Sequence, residues 1–217
     1  MQRLNLSRRT APAPGMHAYI DNRRVWRGAT GLTVLVLAGF GFLYSVAGVG
    51  IGQTLFPHTA NGSMITVDEK IIGSELVAQP FIGDSYFHPR PSASGYNPMA
   101  MAGSNQARTN PDLRSRLETT RSEVAQREST TLENVPNDLI TQSGAGFDPH
   151  ISPKAADIQV ARVARERALH PDIVTKLVAD YTEGKQLGIF GEERVHVLKL
   201  NVALDTYTEA TPVAVQQ

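Results

Sequence analysis

Forty consecutive positions, Gly28 to Val67, carry no Asp, Glu, Lys or Arg. Within them Leu32 to Ile51 reads LTVLVLAGFGFLYSVAGVGI. In a helix rising ~1.5 Å per residue, about 20 such positions span the ~30 Å hydrocarbon core of a bilayer. A helix lying on a soluble core has a polar face and does not sustain so long an apolar run. The sequence therefore predicts one transmembrane helix over 28–52. The rest of the 217 residues is enough for one further domain of ordinary size and excludes a large multidomain enzyme.

Charge orients that helix. Formal net charge is zero, with 21 basic and 21 acidic residues, but the balance is segregated. The first 27 residues hold Arg3, Arg8, Arg9, Arg23, Arg24 and Arg27 against Asp21 alone, and the first charges beyond the apolar run are Asp68 and Glu69. The positive-inside rule then puts 1–27 in the cytoplasm and 53–208 outside it, in the cell (inner) membrane. Cleavage as a signal peptide is the alternative; the run is longer than the usual apolar region, and Ser45-Val46-Ala47 is the only tolerable small-residue site. Gly41 and Ser45, and Gly48 and Gly52, are small residues four apart, a spacing that admits a neighbouring helix. The acidic outer part lacks the clustered Lys and Arg that nucleic-acid binding needs. Absence of cysteine excludes disulfides and thiolate chemistry.

The outer part reads as an α+β domain in two halves. From 53 to 110, Pro57, Pro80, Pro89, Pro91 and Pro98 interleave with glycines, which forbids long helices and implies short strands and turns. Met64–Val67 and Lys70–Ile72 are expected strands about an Asp68-Glu69 turn. From Asn110 onward, helices are expected after Asn110-Pro111, Ser152-Pro153 and Pro171, each a capping or turn residue followed by helical periodicity. Val195 to Leu204, VHVLKLNVAL, alternates apolar and polar positions and is expected to be a strand. Arg162, Arg165 and Arg167 are expected on a solvated helix face. Residues 1–20 and 209–217 lack periodicity and are expected to be disordered.

The chain has neither a Gly-x4-Gly-Lys-Ser/Thr phosphate loop nor an Asp-Lys-Thr-Gly run, so it is not expected to hydrolyse ATP by those routes. A membrane-anchored hydrolase would draw on Ser143, Ser152, His88, His150 and Asp148, but in Gln142-Ser143-Gly144-Ala145-Gly146 the serine precedes the glycines instead of standing between them. A solute-binding protein would need two lobes, for which the domain is short. His58, His88, His150, His170 and His196 are scattered singly, so no metal site is expected.

Six fragments occur in order: LFPHTANGSMI at 55–65, GSELVAQPF at 73–81, YFHPRPSASGYNPMAMAGSN at 86–105, NPDL at 110–113, FDPHISPKAADIQVARVARERAL at 147–169 and VHVLKLNVALD at 195–205. Following a single apolar helix, they closely resemble the C subunit of the Kdp-type potassium-transporting ATPase over residues 30–207. The chain departs from that pattern at Ala102, at Leu76-Val77-Ala78-Gln79, at Ala145-Gly146-Phe147-Asp148 and at His196. The resemblance implies a complex with a pore-forming subunit, a P-type ATP-hydrolysing subunit and a very small fourth subunit. It also implies that ATP and potassium are bound by the complex, no cofactor being expected on this chain alone. A catalytic-chaperone role, raising the ATP affinity of the hydrolysing subunit, is implied in the same way. Partner contact is expected at Gly41, Ser45, Gly48 and Gly52 of the helix and at Arg90, Tyr96, Asn97, Ser104 and Asn105 of the loop half. Arg90, between Pro89 and Pro91, is held extended for a bidentate contact with a partner carboxylate; the alternative is that these loop residues satisfy each other's backbone.

Overall fold

The computed structural model describes residues 22–210. The expectations for 1–20, for the arginine cluster up to residue 9 and for 211–217 lie outside the described residues. Two compact units divide at Pro57/His58.

The first unit is an apolar helix: α1 (Asn22–Val36), a π-helical stretch (Leu37–Leu43) and α2 (Tyr44–Leu55). Gly39 and Gly41 lie in the π stretch, LAGFGFL. Among the described residues, Val25–Leu55 is the one helix long and apolar enough to cross a membrane. Leu32, Leu37, Phe40 and Val49 are each about two-thirds exposed along it. Water penalises such a surface, and hydrocarbon does not.

The second unit has α+β architecture. A short α3 (Pro57–Ala60) precedes the hairpin of β1 (Met64–Val67) and β2 (Lys70–Ser74). Its turn holds Asp68 and Glu69 at φ 47° and 63°, the left-handed pair that matches strand twist in a two-residue hairpin. Further on come α4 (Pro111–Arg127), β3 (His150–Ile151), α5 (Pro153–Glu166), α6 (Pro171–Asp180), β4 (Thr182–Glu183), β5 (Arg194–His196) and α7 (Val197–Ala210). Strands β3, β5 and β4 form an antiparallel sheet with β5 central.

Three helix starts follow the expected chemistry. Asn110 Oδ1 accepts from Asp112 N at 2.9 Å, Ser152 Oγ from Ala155 N at 3.1 Å and His170 Nδ1 from Asp172 N at 3.3 Å, each before a proline at the first helical position. These bonds satisfy amides that a helix leaves unpaired. Helix α5 buries Ala155, Ala156, Val160, Val163 and Ala164 against Val174 and Val178 of α6 and Leu200 and Leu204 of α7. The alanines leave room for Phe87, which is fully buried in the same core.

Three expectations are corrected. Within Val195–Leu204 only the start is strand; α7 begins at Val197. Val197, Leu200 and Leu204 also recur at helical spacing, and tertiary packing of that stripe decides between two periods that a short window leaves equal. Helix α7 also takes in residues 209 and 210 of the expected tail. Arg162, Arg165 and Arg167, the last at the C-cap of α5, do not share one solvated face. Arg165 is exposed, whereas the Arg162 and Arg167 side chains retain 3% and 7% exposure.

Candidate functional site

The segment Asp84–Pro91, DSYFHPRP, carries two prolines and so lacks the amides for a paired strand. Side chains from two helices satisfy its peptide groups instead. Asn201 Oδ1 accepts from Phe87 N and Asn201 Nδ2 donates to Phe87 O, both at 2.9 Å. Gln159 Oε1 accepts from His88 N at 2.8 Å, and its Nε2 donates to His88 O at 3.3 Å. Arg162 Nη1 donates to the carbonyls of Asp84 and Tyr86, and Arg167 Nε donates to Ser85 O at 2.6 Å. Arg162 is paired in turn with the fully buried carboxylate of Glu128 at 2.9 Å.

Beyond this anchored segment, residues 90–105 lie on the 141–148 loop and form a platform. Arg90 Nη1 meets Asp148 Oδ2 at 3.0 Å, and its Nη2 lies 3.5 Å from Thr141 Oγ1. Tyr96 donates its hydroxyl to Arg90 O at 2.9 Å, and Ser92 Oγ accepts from Tyr96 N at 2.9 Å. Ser92 donates to Gly146 O, and Ser143 N donates to Pro91 O at 3.0 Å. The loops touch at backbone distance: a Cβ on Gly103 would stand 2.8 Å from Gly144 O, and one on Gly146 would stand 2.8 Å from Ala102 O. Glycine is required at both places for that reason.

The structure brings Arg90 and Tyr96 together and turns both inward. Asn97 caps the 3-10 turn Pro98–Ala100, accepting from Met99 N at 2.9 Å. Ser104 is exposed beside Arg116 Nη2 at 3.5 Å, and Asn105 is exposed in the left-handed region at φ 50°. Met99 and Met101 stand out from the same stretch at 91% and 64% exposure. In the helix unit, Ser45 Oγ donates to Gly41 O at 2.7 Å, and a Cβ at Gly41 or Gly48 would meet nothing. Gly52 receives the closing α2 bond from Phe56 N at 2.9 Å.

Electrostatics follow from this packing. Burial alone raises the Asp148 carboxyl, but hydrogen bonds from His150 and Arg90 outweigh it and hold the group below the usual carboxylate range. His88 is pushed down to about 4 by burial, with Arg127 and Arg162 adding repulsion. Burial raises the Tyr96 hydroxyl. His196 is lowered by burial; its Nε2 sits 2.9 Å from Glu75 O, and its ring meets His150 edge-on at 5.1 Å.

Arg90, Asp148 and His150 also line a cleft of about 790 Å³, with Glu133, Lys154 and Glu193 on its walls. The serines considered for hydrolysis serve the backbone: Ser143 Oγ accepts from Gly146 N at 2.7 Å, and Ser152 caps α5. Among the described residues, no group of three or more His, Asp or Glu side chains is placed to hold a metal ion. Sequence reasoning missed Gln159, Arg162 and Asn201 as anchors. The available signal was a polar side chain inside an apolar helical stripe, as in Leu200-Asn201-Val202.

A family model described as KdpC, K+-transporting ATPase, c chain, matches residues 26–206. The potassium-transporting ATPase KdpC subunit of Xanthomonas oryzae pv. oryzae is 50% identical over 179 residues, 82% of this chain and 86% of its own. The KdpC subunit of Shewanella putrefaciens is 52% identical over 165 residues, 76% and 83% of the two chains. That of Methylococcus capsulatus is 50% identical over 168 residues, 76% and 88%.

Proposed function

The chain belongs to the KdpC family of K+-transporting ATPase c chains, and from that premise we propose that it is the non-catalytic accessory subunit of an ATP-driven potassium uptake complex. The observation that carries the reading is the extent of the match, 26–206, which takes in both the apolar helix and the loop platform. A subunit that works by contact needs both an anchor and a rigid contact surface, and this chain has an element suited to each.

In this reading the N-terminus is cytoplasmic, 28–52 crosses the membrane once, and 53–208 lies outside. The arginine asymmetry supports that orientation. The pore-forming subunit and the P-type ATP-hydrolysing subunit are the partners, with a small fourth subunit beside them; ATP and potassium are handled by those partners. Gly41, Ser45, Gly48 and Gly52 offer a small-residue stripe to a neighbouring helix. Asn97, Ser104 and Asn105 offer exposed polar groups beside Met99 and Met101, while Arg90 and Tyr96 stiffen the loop behind them. Nucleotide binds on the cytoplasmic side, so an effect on ATP affinity is exerted through assembly at long range.

Two measurements on right-side-out vesicles and purified complex test this. Protease added outside is expected to remove the folded domain and leave an arginine-rich stub. The tagged chain, solubilised from potassium-starved membranes, is expected to bring the pore-forming and ATP-hydrolysing subunits with it. A mature N-terminus at residues 45–55, or recovery of the chain without either subunit, would refute the reading.

A further inference from the structure

Strands β4 and β5 are joined by the loop Gly184–Glu193, GKQLGIFGEE, whose tip exposes three large apolar side chains. Leu187, Ile189 and Phe190 are 89%, 76% and 62% exposed within four consecutive positions. The tip is built, not slack. Gln186 and Phe190 exchange backbone hydrogen bonds at 2.8 and 2.9 Å, and Gly188 and Gly191 take positive φ. Leu187 is held at φ 53°, a left-handed conformation that a non-glycine residue adopts only at a cost. At the base, Arg194 Nη2 pairs with Glu183 Oε2 at 2.8 Å and fixes the loop to the sheet.

Charge beside the tip identifies what covers it. Glu192 and Glu193 are exposed and border the cleft, with Glu133 on its wall. Among the described residues none of these three carboxylates has a hydrogen-bond or ion-pair partner, whereas Arg90 and Arg194 in the same cleft are paired. Arg121, Lys154 and Lys185 are the nearby cations without a carboxylate partner among the described residues, against Glu133, Asp138, Glu192 and Glu193. The cleft margin is thus acidic by one charge, and its two carboxylates next to the tip are Glu192 and Glu193. An anionic bilayer surface repels that margin, whereas a protein segment with Lys or Arg next to apolar side chains complements both parts at once.

We propose that the Leu187–Phe190 tip and its Glu192 and Glu193 margin dock onto a basic, apolar-flanked segment of another subunit of the transport complex. The inference rests on the accessory-subunit reading and adds a surface to it. The apolar tip fills a pocket on the partner, and the two carboxylates receive its cations.

The test uses the full chain, expressed with the other subunits in membranes and carrying a photo-crosslinking Ile189→benzoylphenylalanine substitution. Illumination is expected to join it to a transport subunit at a peptide containing Lys or Arg. Adding Glu192→Lys and Glu193→Lys is expected to cut the adduct roughly fivefold or more, the effect of two exposed charge contacts. Leu187→Ser with Phe190→Ser, at positions outside the hydrophobic core, is expected to do the same without lowering the Tm. An adduct to lipid alone, or a partner adduct insensitive to all four changes, overturns the docking surface. If the unsubstituted chain still brings down the transport subunits in that case, only this surface is lost. If it brings down neither, the accessory-subunit reading falls with it.

Discussion

Asn201 on α7 makes both backbone hydrogen bonds of Phe87, each at 2.9 Å, in a setting where both residues are fully buried. A side-chain amide thus does for one residue what a neighbouring strand would do for a whole segment. Gln159 repeats the arrangement on His88 from α5. The proline-rich stretch can then run through the core without a strand partner, and it delivers Arg90 and the platform to the surface.

Removing that amide exposes the arrangement to measurement. Asn201→Ala leaves a buried N–H and C=O unpaired and opens a cavity, an expected loss of about 2–4 kcal/mol. Tyr86→Phe deletes only a 3.3 Å bond to the half-exposed Asp205 and is expected to cost about 1 kcal/mol or less. Urea unfolding of the detergent-solubilised chain, followed by circular dichroism, compares them. Equal midpoints for the two variants would show that the Asn201 bonds do not hold the segment.

The Glu128–Arg162 pair is expected to behave asymmetrically. Both side chains are almost fully buried, so Arg162→Met leaves the Glu128 carboxylate with Arg127 Nε alone, at 2.7 Å, and should cost about 2–3 kcal/mol. Glu128→Leu added to Arg162→Met removes the half-paired buried charge and leaves Arg127, which is partly exposed, to solvent, so it should recover part of that loss. Recovery stays incomplete because Arg162 also covers the carbonyls of Asp84 and Tyr86. A double variant as unstable as Arg162→Met alone, in the same urea titration, would contradict the account.

How much of this was legible in the sequence depends on the range of the interaction. The apolar helix, the β1–β2 turn and the starts of α4, α5 and α6 are written in neighbouring residues, and each was expected. The start of α7 was not, because VHVLKLNVAL satisfies two periodicities and packing against α6 chooses between them. Arg162 looked like part of a charged face because its partner Glu128 is 34 positions away. Of the expected contact residues, Arg90 and Tyr96 turn inward, and their pairing with Asp148 and the loop depends on bonds spanning 58 and 6 positions. The 187–190 tip is apolar in the sequence, but its exposure is a property of the fold.

His88 gives the stability a pH dependence of definite sign. Its folded pKa is pushed down to about 4 from an ordinary 6.5, so the unfolded chain binds the proton more readily. Stability is full above the unfolded value and declines as pH falls from about 6.5 toward 4. With partial solvent access allowed for, His88 contributes about 2 kcal/mol to that decline. His196, also lowered, works in the same direction. Unfolding midpoints measured between pH 7 and 5 should fall for the parent and fall less for His88→Gln. Parallel slopes would show that His88 is not the titrating group.

Arg90 separates contact from scaffolding. Its pair with Asp148 is partly solvated, at 26% and 33% side-chain exposure, and such pairs contribute about 1 kcal/mol or less. Its Nε is buried without a hydrogen-bond partner among the described residues. Arg90→Ala should therefore lower the Tm only slightly and leave membrane insertion intact. If the platform transmits coupling, the same change should reduce potassium-dependent ATP turnover of the assembled complex severalfold more than that stability loss explains. Arg90→Lys keeps the charge but loses the planar fork that reaches both Asp148 and Thr141, and it should recover stability more than turnover. Turnover and Tm measured on the same preparations decide the matter. If both variants lose turnover only in proportion to stability, Arg90 is a scaffold residue, and the coupling contact lies among the exposed groups at Asn97, Ser104 and Asn105.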